Sequence, residues 1–483
     1  MTNQEAGRMS VCALDKTNQA GLKGILVTDC GSTTTKARFF KKKGDEYRFI
    51  CAGEAPTTVE EPYEDVTLGV LNAAKEVEEL TSSEIISENQ IGISSKEDAK
   101  GVDLYLTTSS AGGGLQMSVF GVAKNMTAES AQRAALGAGA IVLDVLTADD
   151  GVPAHNKIER TRYLRPDMVL LAGGTDGGAV EPVLLLSEIL RTADPSPRFG
   201  ADFQLPVIYA GNKNIRDQVQ KNLSSKFALK IIDNIRPTVD RENMEAATAA
   251  IQELFMEHVM SHAPGYNKLK SWTQNPIMPT PMAEGLMFQL LAKMRKANVI
   301  GVGLGGATTN VYSVYEEKFV RTVSANLGMS YSIGNVLKEA GLDNIIRWLP
   351  FDIDGSDLVD SLTNKMIRPT TIPQTLTELM IEHAVAREAL RLGLMHHRLL
   401  ARGLRGVMRF RTIADTFERR LDLESYIKMS HINIIGGTGG LLSHAPRDIQ
   451  SAMMLIDGFG AEGVTKLIKD SVFMFHHLGV LST

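Results

Sequence analysis

One local pattern occurs twice in this chain and restricts the fold more than anything else in it. Ile25-Leu26-Val27-Thr28 runs into Asp29-Cys30-Gly31-Ser32-Thr33-Thr34-Thr35-Lys36, and Ala37-Arg38-Phe39-Phe40 resumes an extended run. Two apolar or β-branched runs around a polar, glycine-opened segment predict two strands joined by a turn. In the second half, residues 298–304 predict a strand, Gly305-Gly306-Ala307-Thr308-Thr309-Asn310 a Gly/Thr turn, and Val311-Tyr312-Ser313-Val314-Tyr315 the returning strand. Each half also holds a later apolar strand ending in Gly-Gly-Thr, at 168–178 and at 432–443. One such match can arise by chance. Two in the same order indicate an α/β chain whose halves share a plan.

The turns have a chemistry of their own. Glycine lets the backbone approach an anion, and successive N–H groups and hydroxyls can donate to phosphate oxygens. Lys36 could offset charge, and the strand-end carboxylate of Asp29 could orient a magnesium ion through water. An ordinary hairpin uses the same residues, so a single turn does not decide between the two. The other common phosphate loops, G-x-x-x-x-G-K-[ST] and G-x-G-x-x-G leading into a helix, do not occur here.

A chain of 483 residues fits two or three domains. A net charge of −5 gives no footprint of a nucleic-acid binder. No apolar run reaches the length of a membrane span, and the polar first twenty residues lack a signal-peptide core. Cys12, Cys30 and Cys51 are an odd set without CxxC spacing, which points to reduced thiols and a cytoplasmic protein.

Along the chain, residues 1–21 are expected to be a disordered leader. Residues 47–52 predict a third strand. Val66, Val70, Ala74 and Val77 recur at near-helical spacing. Residues 103–108 predict a strand, the Ala-rich stretch 128–146 a helix behind Thr127, and 168–172 a buried strand with a helix over 180–190. A small α/β extension follows to residue 232. Pro264, Pro276, Pro279 and Pro281 mark 263–283 as a linker. The expected domains are 22–262, with the extension, and 284–483, with a helical insertion at about 345–415.

These motifs resemble those of the actin, sugar kinase and heat-shock chaperone ATPases. The Asp29 to Lys36 segment is similar to their first phosphate motif, Gly305-Gly306-Ala307-Thr308-Thr309 to the second, and Ile435-Gly436-Gly437-Thr438-Gly439-Gly440 to the adenosine motif. More closely, the chain from about residue 23 resembles the glutamate mutase accessory protein L family. Its particular pieces are 107–114 with 136–140, 171–178 and 323–330. The resemblance implies two RNase-H-like domains with a cleft between them, and ATP and magnesium as cofactors. It implies a nucleotide site of Asp29, Gly31, Ser32, Thr33, Thr34, Lys36, Gly305, Gly306, Ala307, Thr308, Thr309, Gly436, Gly437, Thr438 and Gly439, with Asp29 holding magnesium through water. The implied role is reactivation of an adenosylcobalamin-dependent mutase or aminomutase, of the glutamate mutase or ornithine aminomutase type. That partner would bring the cobalamin, because no D-x-H-x-x-G loop occurs here.

One departure bears on turnover. The second phosphate motif usually reads D-x-G-G-x-T-T-D, and here Gly303 and Asn310 replace both acids. Nucleotide binding is therefore expected more firmly than hydrolysis, and catalytic residues are not assigned. A small-molecule kinase of the same superfamily and a nucleotide-binding scaffold without turnover are the alternative readings.

Other features remain open on the sequence alone. Arg387, Arg391, Arg398, Arg402, Arg405 and Arg409 could form one helical face, either docking an acidic partner or corrinoid phosphate, or simply solvated or internally paired. The pairs His396-His397 and His476-His477 are poor chelates, since adjacent residues are expected to face apart. Thr175-Asp176 could face the cleft or cap the next helix.

Overall fold

The computed structural model describes residues 21–94, 101–110, 115–198, 203–259, 263–324, 327–402 and 425–483. The expected leader lies almost wholly outside them. The chain divides into two compact units. One holds the described residues of Met1–Gly112, Pro264–Leu286 and His476–Thr483; the other holds those of Gly113–Ala263 and Met287–Phe475.

The first unit opens with β1 (Gly24–Cys30), β2 (Thr34–Lys43) and β3 (Glu46–Pro56), followed by α1 (Val66–Thr81) and β4 (Leu104–Ser109). Asp65 starts α1 by accepting the Thr67 N–H at 2.8 Å. Val66, Val70, Ala73, Ala74 and Val77 face inward from α1 with no exposure. Each buried valine contributes roughly 1.5–3 kcal/mol. The helix lies so close to β3 that a Cβ on Gly53 would collide with the Ala73 carbonyl.

The second unit begins with an α/β segment: β5 (Gln116–Gly121), α2 (Glu129–Gly137), β6 (Ile141–Thr147), α3 (Ala154–Tyr163), β7 (Met168–Ala172), α4 (Glu181–Ala193), β8 (Pro206–Tyr209), α5 (Arg216–Leu223), β9 (Ala228–Ile231) and α6 (Glu245–Leu254). Its strands pair in the order β9-β8-β7-β5-β6, all parallel. This is the doubly wound 2-1-3-4-5 arrangement. Phe120, Leu171, Leu186, Leu190, Val207 and Val219 form its core.

Next come α7 (Tyr266–Trp272), β10 (Met278–Pro279) and α8 (Thr280–Arg295). Then follow β11 (Val299–Leu304), β12 (Thr309–Tyr315), β13 (Lys318–Ser324), α9 (Ile333–Ala340), α10 (Leu342–Ile346), α11 (Gly355–Ile367) and α12 (Leu376–Leu400). The chain ends with β14 (Ile434–Thr438), α13 (Gly440–Ser443), α14 (Asp448–Phe459), β15 (Lys466–Lys469) and α15 (Phe475–Leu481).

Two sheets share one topology. The first unit pairs β3-β2-β1-β4-β10 and the second β13-β12-β11-β14-β15, and both follow the order 3-2-1-4-5. In each, the first three strands are antiparallel and the last two join in parallel. These are the two RNase-H-like sheets of an α/β chain.

Three expected assignments along the chain need correction. Residues 168–172 do not complete the first RNase-H-like sheet; they are the central strand of the parallel sheet, inserted between β4 and β10. The fifth place is taken by two-residue β10, which pairs with Thr108 and Ser109 from within the stretch read as a linker. The prolines there do not unravel the chain: Pro279 sits in the edge strand β10, and Pro281 in the first turn of α8, where the missing N–H costs nothing. Finally, 128–146 is not one helix. Gly137 ends α2, Gly139 takes φ +103°, and the β-branched run after it becomes β6. Of the expected helical insertion, residues 403–415 lie outside the described residues.

Candidate nucleotide-binding turns

The turn between β1 and β2 is built from its own backbone. The Gly31 N–H donates to the Thr34 carbonyl at 3.2 Å. A Cβ on Gly31 would stand 2.7 Å from that carbonyl oxygen and 3.2 Å from Lys36 Nζ, so the glycine is sterically required. Thr57, just past β3, braces the turn: its N–H donates to the Thr33 carbonyl at 3.0 Å and its hydroxyl to the Gly31 carbonyl at 2.8 Å. Among the described residues, the amides and hydroxyls of Ser32 and Thr33 make no hydrogen bond to the chain. Two adjacent uncommitted amides are what an anion-binding turn presents.

Asp29 and Lys36 face each other across this hairpin as register partners. Lys36 Nζ stands 3.4 Å from Asp29 Oδ2 and donates to the Thr34 carbonyl at 3.1 Å. Asp29 is 2 % exposed, and its Oδ1 accepts the hydroxyls of Thr108 at 2.8 Å and Thr280 at 2.6 Å. His476 from α15 brings Nε2 to 3.4 Å from Asp29 Oδ2, with Nδ1 3.9 Å from Glu284. Burial, reinforced by Lys36 and Arg38, holds the His476 imidazole well below its ordinary pKa and therefore neutral. The rings of His476 and His477 lie side by side, centroids 4.2 Å apart, rather than on opposite faces. Burial, with the Asp29 charge next, pushes the neighbouring Cys30 thiol up to about 12, so it is inert.

The turn between β11 and β12 repeats the construction. The Gly305 N–H donates to the Thr308 carbonyl at 2.9 Å, and Gly306 and Ala307 keep their amides uncommitted among the described residues. The segment past β13 braces it: Met329 and Ser330 donate to the carbonyls of Gly305 and Gly306, both at 2.9 Å, and the Thr309 hydroxyl donates to the Leu327 carbonyl. Gly328 must be glycine, because a Cβ there would run into the Gly306 backbone. Gly303 and Asn310 are register partners where Asp29 and Lys36 stand in the first turn. Asn310 reaches toward the Thr308 hydroxyl at 3.5 Å and accepts from Arg321 at 3.2 Å.

The third expected motif is built differently. Gly436 and Gly437 lie inside β14 and are buried. A Cβ on Gly436 would press on Phe288 at 2.8 Å, and one on Gly437 on Leu442 at 3.0 Å. Both glycines are explained by packing. The buried Thr438 hydroxyl is committed to Asp470 Oδ2 at 2.9 Å. Gly439, at φ +112° and close under the Leu304 carbonyl, makes the exit bend, and Gly440 opens α13 with free space around its Cα.

The Asp29 surroundings limit how magnesium could be held. Oδ1 is occupied by two hydroxyls, so only Oδ2 could take a metal-bound water, and it shares that face with Lys36 and His476. This fits an outer-sphere role and not direct ligation. Among the described residues, no three His, Cys, Asp or Glu side chains gather as a metal cage, and no helix is long and apolar enough to cross a membrane.

Four contributors escaped the sequence reading: Thr108, Thr280, Glu284 and His476. Thr280 lies 251 residues from the carboxylate it binds, and no local pattern marks it. Of the four described arginines of the stripe, two are internally paired, while Arg398 is exposed. Arg387 binds Asp457 at 2.7 Å and Arg391 binds Glu388 at 2.8 Å, while α12 stops at Leu400. Arg405 and Arg409 lie outside the described residues. Asp176 neither caps α4 nor stands free. Its Oδ1 accepts from the Lys213 N–H at 3.1 Å and from Asn234 at 3.0 Å.

Comparison with known sequences decides the family. The profile of the MutL protein family matches residues 25–483. The chain belongs to the MutL family. Protein MutL of Clostridium tetanomorphum is 30 % identical over 357 residues, which cover 68 % of this chain and 74 % of that protein. Among solved structures, a nucleotide-free acetone carboxylase aligns with 95 % of this chain and 70 % of its own at 13 % identity and a TM-score of 0.40. A glycerol dehydratase reactivase aligns with 95 % of this chain and 100 % of its own at 10 % identity and a TM-score of 0.33.

Proposed function

We propose that this MutL-family protein is an ATP-dependent accessory protein of the cytoplasm. In this reading it reactivates an adenosylcobalamin-dependent mutase or aminomutase of amino-acid fermentation, of the glutamate mutase or ornithine aminomutase kind. The observation that carries the nucleotide part is the repeated turn, in which a glycine, sterically required at 31 and tightly placed at 305, leaves two neighbouring amides for phosphate oxygens. Ser32, Thr33 and Thr34 in one turn, and Gly306, Ala307 and Thr308 in the other, would hold the phosphates. Lys36 would offset their charge. Gly31 and Gly305 shape the turns, Thr309 ties the second to its brace, and Gly439 makes room at the end of the strand that carries Gly436, Gly437 and Thr438.

Magnesium, when bound with ATP, would neutralise phosphate charge, and Asp29 would orient it through water from Oδ2. Gly303 offers no side chain, and the Asn310 amide is neutral, so neither can act as a general base. Hydrolysis is then slow, and nucleotide binding does its work by favouring one conformation over another. The same residues supply no base to an acceptor hydroxyl, which disfavours the kinase reading.

The test is reactivation by the full chain. With Mg·ATP and fresh cofactor, it should restore activity to a mutase or aminomutase that turnover has inactivated, and it should fail without nucleotide. If no cobalamin enzyme is captured from the source cell extract and none regains activity with ATP, the reactivating role is wrong.

A further inference from the structure

The second phosphate turn is wired to the inserted parallel-sheet segment through one buried side chain. Arg321 stands in the middle of β13 and is 3 % exposed. Its Nη2 donates to Asn310 Oδ1 at 3.2 Å, and its Nη1 donates to the Leu136 carbonyl at 3.0 Å. Leu136 lies in the last turn of α2, and its carbonyl also accepts the Gly139 N–H at 3.1 Å. A guanidinium at that end meets the negative pole of the helix dipole, and the planar fork lets one residue serve two acceptors at once. Lysine carries its three donors on one atom and lacks the fork that sends separate nitrogens to the two acceptors. The guanidinium is also held over the Tyr312 ring, 5.9 Å from its centroid.

The connected atoms run from the Thr308 hydroxyl to Asn310, from Asn310 to Arg321, and from Arg321 to the end of α2. At its other end α2 follows the carboxyl end of β5, and mid-helix Arg133 pairs with Glu129 at 2.7 Å and with Glu242. The helix thus spans the inserted sheet from the end of β5 to the start of β6. This also accounts for the neutral residue at 310. An aspartate there would lock onto the guanidinium as a buried ion pair, whereas the asparagine oxygen accepts from Arg321 and its amide nitrogen stays turned to Thr308.

We infer that Arg321 is a positioning residue that relays phosphate occupancy of the 305–308 turn to α2, so that the inserted parallel-sheet segment is the part of this protein that responds to nucleotide. The inference rests on the nucleotide reading above and adds to it the element that responds. Coupling of this kind is typically a factor of about 5–150 in an equilibrium constant.

Hydrogen exchange on the full chain, with and without Mg·ATP, tests it. In the wild type, nucleotide should slow exchange at 305–309 and also change it by at least about fivefold across 129–147. Arg321→Lys should keep the first effect and lose the second, with nucleotide affinity held within about tenfold. Asn310→Leu, which removes the acceptor without touching α2, should uncouple 129–147 in the same way. Protection at 305–309 with no change at 129–147 in the wild type overturns the relay and leaves nucleotide binding standing. A change at 129–147 that survives both variants overturns the role of Arg321. No nucleotide binding by calorimetry overturns the nucleotide reading and the relay together.

Discussion

The two glycine turns share one backbone construction but differ in charge, and the difference separates what the fold requires of such a turn from what phosphate chemistry would require. In both, a glycine N–H closes on the carbonyl three residues later, at 3.2 Å in one and 2.9 Å in the other, and the segment past the third strand braces the loop. Behind the first stand Asp29 and Lys36, both buried and facing each other across the hairpin. Behind the second the same register positions hold Gly303 and Asn310, with no charge in either. Cradle geometry is thus carried by glycine and backbone, while the charged pair is dispensable to the turn itself. In the proposed function the first turn would meet the charged, metal-bound phosphate, and the second would hold a phosphate without a carboxylate to activate water.

The largest expected effect breaks the charged pair. Lys36→Ala leaves Asp29 buried beside a neutral His476, and losing one partner of a buried ion pair typically costs about 3–5 kcal/mol. Asn310→Ala removes the acceptor of one Arg321 hydrogen bond without leaving a buried charge of opposite sign behind, about 1.5–3 kcal/mol. Denaturant unfolding of both variants should show the first less stable than the second. Similar losses would mean that the electrostatic contrast is unimportant.

A smaller contrast lies in the glycines. A Cβ at 31 would sit 2.7 Å from the Thr34 carbonyl, whereas one at 305 would sit 3.1 Å from the Thr308 carbonyl. Gly31→Ala should therefore weaken ATP binding more than Gly305→Ala, by about tenfold or about 1.4 kcal/mol. Equal affinities by calorimetry would show that the turns relax alike. The subtlest change restores an acid. Gly303→Asp should raise basal phosphate release, expected to be very low in the wild type, by at least about tenfold, a fraction of the roughly 10²–10⁴-fold of full base assistance. A wild type that already hydrolyses ATP at the rate of an active ATPase would show that some other residue does the chemistry.

Both turns were legible in the sequence because a hairpin is local: apolar runs, glycine and hydroxyls lie within a dozen residues. The parallel segment was not. A short apolar strand such as Met168–Ala172 reads alike in either sheet, since parallel strands pair through crossovers that leave no local mark. Two-residue β10, hidden among prolines, carried too little pattern to be seen as the fifth strand. The shell of Asp29 was invisible for the same reason, because Thr108, Thr280 and His476 come from three distant parts of the chain. In the adenosine motif the glycines were legible but their cause was not. Gly436 and Gly437 are small because Phe288, Leu442 and Leu455 press on the strand.

If these turns hold a nucleotide, calorimetric titration of ATP into the full chain must show it. Saturable binding is expected, with a dissociation constant between about 1 μM and 1 mM. Binding should be weaker when magnesium is chelated and lost in Gly31→Val, whose side chain would fill the space beside Thr34 and Lys36. No saturable heat from the wild type, or unchanged affinity in Gly31→Val, would contradict it.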